Sequence, residues 1–300
     1  MAFKEQITAV GDGLLVQAPA KINLSLLIAG KRDDGFHDIE TLMAKVSFYD
    51  EILIQPGVKE GIELICQGPY WAPFGEENLV YKACQMLLDS CDLQADIKIT
   101  LTKNIPAGSG LGSASSDAAS TLLGVNKFLK LKVQPSELNQ MAAALGSDVA
   151  FFLNGPLAFC TGKGEKIKKI AQKFNFFALL ILPDISVSTE KVYANYKHNL
   201  SLYKKLNFQI KRYLEKNRFD LVLKMCANML QSSCFGLHKE LDDLKSKIES
   251  LGFWPLCLSG SGSAMFCLFD SADEEKARGY QRKIKRESGC TSIIVNNNRW

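Results

Sequence analysis

The chain is 300 residues long, 47% of them hydrophobic, and its formal net charge is +4. Such a chain can bury the cores of two domains of ordinary size, so we expect a globular protein. Its basic residues are spread along the sequence, which argues against a nucleic-acid surface, and its longest apolar run, "FFALLIL" from Phe176 to Leu182, is too short to span a bilayer. Neither nucleic acid nor a membrane is therefore an expected partner.

The cysteines and histidines indicate a reduced compartment and no structural metal. The nine cysteines are an odd number and form no C-x-x-C pair, which is not the pattern of a disulfide scaffold. The three histidines, His37, His198 and His238, lie apart from one another and from any cysteine at zinc-ligand spacing. The N-terminus has no apolar signal core. These features predict a cytoplasmic protein with free thiols.

The first half of the chain interleaves short strands with helices. Strand-like patterns occur near five segments: Leu14–Gln17, Ile22–Ile28, Asp50–Ile54, Gly61–Cys66 and Ile97–Leu101. Helical spacing begins after Asn78, a typical N-cap residue, and returns in "PSELNQMAAALG", which should end near the C-cap glycine Gly146. This order of elements predicts an α+β fold.

The second half opens on the buried strand "FFALLILP" and continues with two lysine-rich helical stretches, Leu202–Gln231 and Lys239–Leu251. A capping box formed by Ser271 and Glu274 should start another helix, which the strand "CTSIIV" follows. The boundary between the two halves is expected near residues 167–174. It divides the chain into domains of residues 1–170 and 171–300.

A glycine- and serine-rich stretch, "TKNIPAGSGLGSASSDAAST" from Thr102 to Thr121, follows the last strand of the first half. A glycine cluster indicates close approach of the backbone to another group, and a helix N-terminus offers unpaired N–H groups to an anion. A flexible linker is the alternative, but Ala118, Leu122 and Val125 recur at helical spacing directly afterwards. The stretch lacks the Gly-Lys-Ser/Thr of a P-loop and the third glycine of a dinucleotide fingerprint. It therefore predicts a phosphate-binding loop of another kind.

Three further stretches carry polar residues suited to catalysis, and each also has a plainer explanation. In "APAKINLSL", Lys21 and Asn23 share one face of a strand, although a strand lysine is usually just solvated. "KRDDGFHD" ends in Phe36 and His37, and its alternative is an exposed hairpin turn. In "GSDVAFF", Asp148 could merely cap the next turn. None of the three decides a function alone.

The order and spacing of these stretches resemble the GHMP kinases over essentially the whole chain. The three signatures of that family look like "PAKINLSL", "PAGSGLGSASSDAA" and "LSGSGSAMF" here. "KRDDGFHDIETL", "EENLVYKA" and "LGSDVAFFLNGPLAFCTGKGEKI" look most like the branch whose acceptor is a cytidine-diphospho sugar alcohol. The resemblance implies an N-terminal domain like domain 2 of ribosomal protein S5 and a ferredoxin-like C-terminal domain. It also implies a cleft for ATP, Mg²⁺ and the acceptor, in a monomer or weak homodimer.

The resemblance also implies roles for single residues. Asp148 is the candidate base that accepts the proton of the acceptor hydroxyl, and Lys21 would keep it ionised. The residues implied for ATP and its phosphates are Asn78, Lys103, Pro106, Ala107, Gly108, Ser109, Gly110, Leu111, Gly112, Ser113, Ala114, Ser115 and Ser116. Those implied for the acceptor are Asn23, Phe36, His37, Asp148, Thr189, Tyr193, Gly260 and Gly262. The metal ligands stay open.

Two alternatives remain open at the level of sequence. One is another small-molecule kinase of the family, acting on mevalonate or homoserine, and the other is a non-catalytic member that binds ligand in the same cleft. The turn at Phe36 and His37 favours a cytosine, because a base needs a stacking surface and hydrogen bonds at its edge. Lys21 and Asp148 argue against a non-catalytic member. Lys163 lies in a loop with no assigned role, so its replacement by alanine is not expected to cost orders of magnitude in turnover.

Overall fold

The computed structural model describes residues 5–171, 175–253, 255–269, 273–298 and 300. Within that part of the chain, two β-sheets and ten α-helices confirm the predicted α+β fold. The strands are β1 (Ile7–Val10), β2 (Gly13–Lys31), β3 (His37–Pro56), β4 (Ile62–Gln67), β5 (Ile97–Thr102), β6 (Leu157–Gly162), β7 (Lys166–Lys169), β8 (Phe177–Leu182), β9 (Cys257–Leu258), β10 (Met265–Phe269) and β11 (Thr291–Asn296). The helices are α1 (Leu79–Ser90), α2 (Ser113–Phe128), α3 (Pro135–Leu145), α4 (Val149–Leu153), α5 (Thr189–Ala194), α6 (Leu200–Glu215), α7 (Phe219–Met225), α8 (Gln231–Leu237), α9 (Lys239–Ser250) and α10 (Glu274–Ser288).

The larger sheet is built on two long antiparallel strands, β2 and β3. Its main order is β1-β2-β3-β5-β4, and a second branch runs from β3 to β6 and β7. Residues 39–44 of β3 pair with β6, whereas residues 51–56 pair with β5. The sheet therefore forks along β3.

Four helices cover one face of this sheet and place the glycine-rich stretch at its edge. β4 and β5 are parallel, so α1 crosses over between them. α1 begins after Asn78, whose side chain accepts a hydrogen bond from Val80 N at 2.9 Å, and this confirms the predicted cap. α2 follows β5 through the glycine-rich stretch. The core between the helices and the sheet includes Ile99, Ala118 and Phe151, all fully buried.

The smaller sheet has the antiparallel order β11-β8-β10-β9, with the predicted buried strand β8 inside it. Its core is continuous with β2 and β3, since Ile22 and Leu42 belong to the same buried cluster as Leu180. A short segment at residues 227–229 also pairs with β2, through hydrogen bonds of 2.7 and 2.9 Å to the backbone of Leu26. The division of the chain at residue 170 stays a prediction.

Two element predictions are wrong in their bounds. Leu14–Gln17 and Ile22–Ile28 belong to one strand, because β-bulges let β2 shift its register without ending. The helical stretch Leu202–Gln231 is interrupted after α6, where Asn217 has a φ of 54°, a left-handed conformation that a helix cannot continue through. The prediction that α3 ends near Gly146 is confirmed, since Gly146 is its C-cap, with an extended φ of 166°.

The second-half predictions have mixed outcomes. The capping box of Ser271 lies outside the described residues, and α10 begins at Glu274. The strand "CTSIIV" is confirmed as β11. No described helix is both long and apolar enough to cross a membrane.

One disulfide corrects the prediction that all nine thiols are free. Cys226 and Cys257 are bonded, with Cα atoms 5.2 Å apart. Their 31-residue separation gave no pairing signal, because only the fold brings the end of α7 next to β9. The other seven cysteines are free, and burial raises the pKa of Cys84 and Cys160 to about 12. Those two thiols stay protonated near neutral pH.

Candidate active site

A cavity of about 990 Å³ opens between β2, the glycine-rich stretch and α5. Most of the residues that the sequence assigned to a site line it. They are Lys21, Asn23, Phe36, His37, Asn78, Lys103, Pro106, Ala107, Gly108, Ser109, Gly110, Gly112, Ser113, Ala114, Ser115, Asp148, Thr189, Tyr193 and Gly260. Residues separated by more than 200 positions in sequence thus face one space.

Three of the assigned residues do not reach this cavity. Leu111 and Ser116 are fully buried behind the loop, and Gly262 packs against Cys234. Successive side chains in a tight turn or on a helix point in different directions, so a contiguous run cannot present all of them to one ligand. Leu111 contributes through its backbone instead, since its carbonyl accepts a hydrogen bond from Lys21 N at 2.9 Å. The assignment of these three positions stays a prediction.

The glycine-rich stretch has the geometry of an anion site. Gly108, Gly110 and Gly112 have φ of 65°, 75° and 71°, which only glycine adopts without strain. Gly112 is the N-cap of α2 and has no side chain that could bind the N–H groups of the first turn. Ala114 and Ser115, in that first turn, line the cavity. The positive end of the α2 dipole therefore faces the cavity.

The second glycine loop, residues 259–263, lies directly against the first. Ser259 Oγ donates to Gly110 O at 3.0 Å, and Ala264 N donates to Ser109 O at 3.0 Å. A Cβ on Gly260 would lie 3.2 Å from Gly110 O and 3.3 Å from Lys21 Nζ. Neither loop thus has room for a larger residue at the contact, and the second loop closes the cavity beside Lys21.

Beneath the first loop lies a buried ion cluster. Lys103 Nζ contacts the carboxylate of Asp50 and Ser113 Oγ, and it lies 2.6 Å from Asp117 Oδ2. Asp50 also accepts two backbone N–H bonds from the segment after Lys103. Burial, with a contribution from Asp50, raises the pKa of Asp117 to about 8 despite the opposing charge of Lys103. Lys103 is therefore tied beneath the loop here and is not a free cation pointing at a phosphate.

Lys21 and Asp148 form the ionic pair of the cavity. Lys21 Nζ lies 3.7 Å from Asp148 Oδ2 and donates to Asn23 Oδ1 at 2.5 Å. Burial lowers the pKa of Lys21, and the charge of Asp148 opposes that shift. Asp148 precedes α4, but its side chain makes no capping hydrogen bond there. The plainer explanations of both residues, a solvated lysine and a helix cap, do not fit these contacts.

An aromatic group that includes Phe36, His37 and Tyr193 also lines the cavity. The ring of His37 is 5.3 Å from that of Tyr193 and 5.9 Å from that of Tyr196. Burial lowers the pKa of His37, and Lys31 and His198 add to the shift. The neutral imidazole has one donor and one acceptor nitrogen. The ring of Phe36 is 54% exposed, which leaves it available for stacking.

Lys163, to which the sequence assigned no role, lines the cavity with its Nζ 4.7 Å from the centre of the Phe36 ring. Trp71, which is 67% exposed, lines it as well. Asp50 and Asp117 also had no predicted role. No sequence signal links positions 50, 103 and 117, because their contact depends on the β3–β5 pairing, which places Glu51 opposite Thr102.

The residues around the loop fit a magnesium ion that arrives with a nucleotide. In the described part of the chain, no group of three or more His, Cys, Asp or Glu side chains could hold a metal ion. Mg²⁺ bound to a nucleotide needs only one or two carboxylates, because phosphate oxygens and waters complete its shell. Asp117 lines the cavity, and among the described residues its Oδ1 is buried without a hydrogen-bond partner. It is an oxygen atom of the kind that Mg²⁺ prefers.

Comparison with protein families and curated proteins gives consistent matches. The model of the GHMP kinases N terminal domain matches residues 78–156, and that of the GHMP kinases C terminal matches residues 210–286. A 4-diphosphocytidyl-2-C-methyl-D-erythritol kinase of Syntrophus aciditrophicus is 39% identical, over 88% of this chain and 92% of its own. One of Clostridium botulinum is 33% identical, over 91% and 96%.

Two solved structures have the same TM-score to this chain but differ in sequence identity. A crystal structure of 4-(cytidine 5'-diphospho)-2C-methyl-D-erythritol kinase matches with a TM-score of 0.75 and 30% identity, over 95% of this chain and 100% of that one. A homoserine kinase from Cytophaga hutchinsonii also has a TM-score of 0.75, but only 21% identity, over 99% and 98%. The shape alone therefore does not distinguish the acceptors, whereas the sequence relatives do. The predicted resemblance is confirmed: this chain belongs to the GHMP kinase family, in the branch of the 4-diphosphocytidyl-2-C-methyl-D-erythritol kinases.

Proposed function

We propose that the protein transfers the γ-phosphoryl group of ATP to the 2-hydroxyl group of 4-diphosphocytidyl-2-C-methyl-D-erythritol, in the non-mevalonate route to isoprenoid precursors. One observation carries the mechanism. A single cavity holds an uncapped helix N-terminus, a lysine–aspartate pair and an aromatic–histidine group. These three features suit a phosphate chain, a reacting hydroxyl and a nucleobase.

The phosphate side depends on backbone groups more than on side chains. The N–H groups of the first turn of α2 would bind the phosphate oxygens, and the helix dipole would favour their negative charge. Phosphoryl transfer requires mainly positioning and charge neutralisation, which fixed donors supply without rearrangement. Mg²⁺, held by Asp117 and the nucleotide, would neutralise charge on the transferred group. The cluster of Lys103 would support the loop from below.

Asp148 would act as the general base. The acceptor oxygen attacks the γ-phosphorus, the bond from that phosphorus to the leaving ADP oxygen breaks, and the hydroxyl proton passes to the Asp148 carboxylate. The ammonium of Lys21, 3.7 Å from Asp148 Oδ2, would stabilise the negative charge of the carboxylate before the transfer. Asn23 orients Lys21, since its own amide is fixed by a 2.8 Å bond to Thr41 Oγ1.

Recognition of the acceptor would come from its cytosine. Phe36 offers an exposed ring for stacking, and His37, packed against Tyr193, offers hydrogen-bonding nitrogens for the edge of the base. Mevalonate and homoserine are small acids without an aromatic ring, so they cannot fill such a pocket. A site that hydrogen-bonds a group strongly rejects analogues without it.

A turnover assay tests this proposal against both alternatives. Formation of ADP is measured with ATP, Mg²⁺ and each of the three alcohols, with and without free CDP as a competitor. We expect turnover of the cytidine acceptor alone and competition by CDP. Turnover of mevalonate without inhibition by CDP would leave only the broader kinase activity, and no turnover of any alcohol would favour a non-catalytic binding role.

The proposal also includes a cytoplasmic location and a monomer or weak homodimer. Support for the location comes from the seven cysteines that are free, whereas the disulfide between Cys226 and Cys257 does not contribute to it. Size-exclusion chromatography with light scattering would measure the oligomeric state.

A further inference from the structure

Lys45 is a buried lysine whose Nζ binds backbone carbonyls. Its side chain lies on β3, directly opposite Lys21 of β2 in the antiparallel register, and the residue is only 2% exposed. Its Nζ donates to Phe152 O at 2.9 Å and to Asn154 O at 2.8 Å. A buried lysine is costly to keep in a fold, so this arrangement calls for an explanation.

The two carbonyls belong to the end of α4, the five-residue helix that follows Asp148. The last carbonyls of a helix have no partner within it, and the N–H groups of a lysine amine can satisfy them. Lys45 fills that position, and its backbone N–H donates to Pro156 O at 2.8 Å just beyond. Three hydrogen bonds from a single residue of β3 thus hold the end of α4.

The other end of α4 carries the candidate base. Asp148 is the residue before Val149, the first residue of the helix, and its ionic partner is Lys21. Lys21 and Lys45 are paired residues on neighbouring strands. Lys21 contacts Asp148 before α4 and Lys45 contacts the end of α4, so this one residue pair holds both ends of the helix. Phe152, a residue of α4, is buried and lies close to Gly112 at the start of α2.

We propose that Lys45 is a positioning residue for phosphoryl transfer: by holding the end of α4, it sets the place of Asp148 relative to Lys21 and the glycine loop. This inference rests on the proposed function, because it assumes that Asp148 is the base. Lys45 does not line the cavity and acts only through the helix. Transfer rates are sensitive to such placement, since a shift of about 1 Å in a reacting group can cost about 100-fold in rate.

The experiment replaces Lys45 by methionine, which has a similar length and no charge or donor. The turnover number of Lys45→Met should fall by roughly 10- to 100-fold, while the KM for ATP and that for the acceptor stay within about threefold. Lys59→Met is the matched control, because Lys59 is an exposed lysine with a surface ion pair, and its turnover should not change. Lys45→Gln, which keeps a donor at shorter reach, should fall between Lys45→Met and the unchanged enzyme. A stability role alone would lower the melting temperature and leave the turnover of the folded protein unchanged, which would overturn the proposal.

A double-mutant cycle with Asp148→Asn separates this inference from the proposed function. If Lys45 acts through Asp148, adding Lys45→Met to Asp148→Asn should not lower the residual rate further. Multiplication of the two losses would overturn the inference. Failure of both Lys45 variants to fold would also overturn it, because a positioning contact does not decide whether the chain folds. Failure of the unchanged enzyme to phosphorylate the acceptor would instead overturn the proposed function.

Discussion

Replacement of Gly110 by alanine tests the contact between the two glycine loops. Gly110 has a φ of +75°, a left-handed conformation that costs an L-residue about 1–2 kcal/mol. The added Cβ would overlap the carbonyl oxygen of Ser259 and lie 3.0 Å from that of Gly262. Overpacking costs typically about 1–3 kcal/mol more. The variant should therefore lose about 2–5 kcal/mol of its free energy of unfolding.

Gly11 is a matched control for the backbone cost alone. Its φ is +60°, and a Cβ there would meet no atom within 4 Å. Gly11→Ala should therefore lose only about 1–2 kcal/mol of the free energy of unfolding. The difference between the two variants isolates the overlap with the second loop.

Urea unfolding measures both losses, and isothermal titration calorimetry measures ATP binding. The ATP dissociation constant should rise by at least about tenfold, or about 1.4 kcal/mol, in Gly110→Ala. It should stay unchanged in Gly11→Ala, which is exposed and does not line the cavity. Equal losses of stability in the two variants, with ATP binding unchanged in both, would refute the argument that the second loop leaves no room for a side chain at Gly110.

Three other outcomes are expected. Asp148→Asn keeps the shape of the side chain but accepts no proton, so turnover should fall by about 100-fold or more while ATP binding stays within about threefold; near-normal turnover would remove Asp148 from the mechanism. His37→Ala should raise the KM for the cytidine acceptor by about tenfold and leave the KM for ATP unchanged; an equal rise in both would place His37 outside the acceptor pocket. Burial lowers the pKa of Lys45 from 10.5 to about 7, so above pH 7 the unfolded chain binds the additional proton. The free energy of unfolding should therefore rise with pH between 7 and 9, by up to about 1.4 kcal/mol per pH unit from this group. Urea unfolding of the unchanged enzyme and of Lys45→Met measures the two slopes, and equal slopes would contradict the assignment.

Short-range patterns predicted much of the fold correctly. The cap of α1 at Asn78, the buried strand β8 and the helix after the glycine-rich stretch each depend on residues a few positions apart. The same patterns failed where an element continued through an irregularity. They divided β2 at a bulge and joined α6 to α7 across Asn217, because neither hydrophobic spacing nor propensity shows a change of register or a single left-handed residue.

The site was only partly predictable for a physical reason. Lys21, Asp148 and the glycine-rich stretch carry family motifs, so their convergence on one cavity could be expected from the resemblance. The pairing of Lys103 with Asp50 and Asp117 follows from the β3–β5 register, and the contact of Lys45 with α4 follows from how that helix packs beside β3. Such contacts join residues far apart in the sequence, and no local pattern encodes them.

The hydrogen bonds between the two glycine loops limit which substitutions the protein can accept. Ser259 and Gly110 face each other without space for a side chain, so a substitution in either loop changes what the other can tolerate. Ser259 and Gly110 lie 149 positions apart in the chain, yet the residues that fit in one loop depend on those in the other. Chimeras made between relatives would have to exchange both loops together, and a crossover placed between them would combine partners that had not been selected to fit.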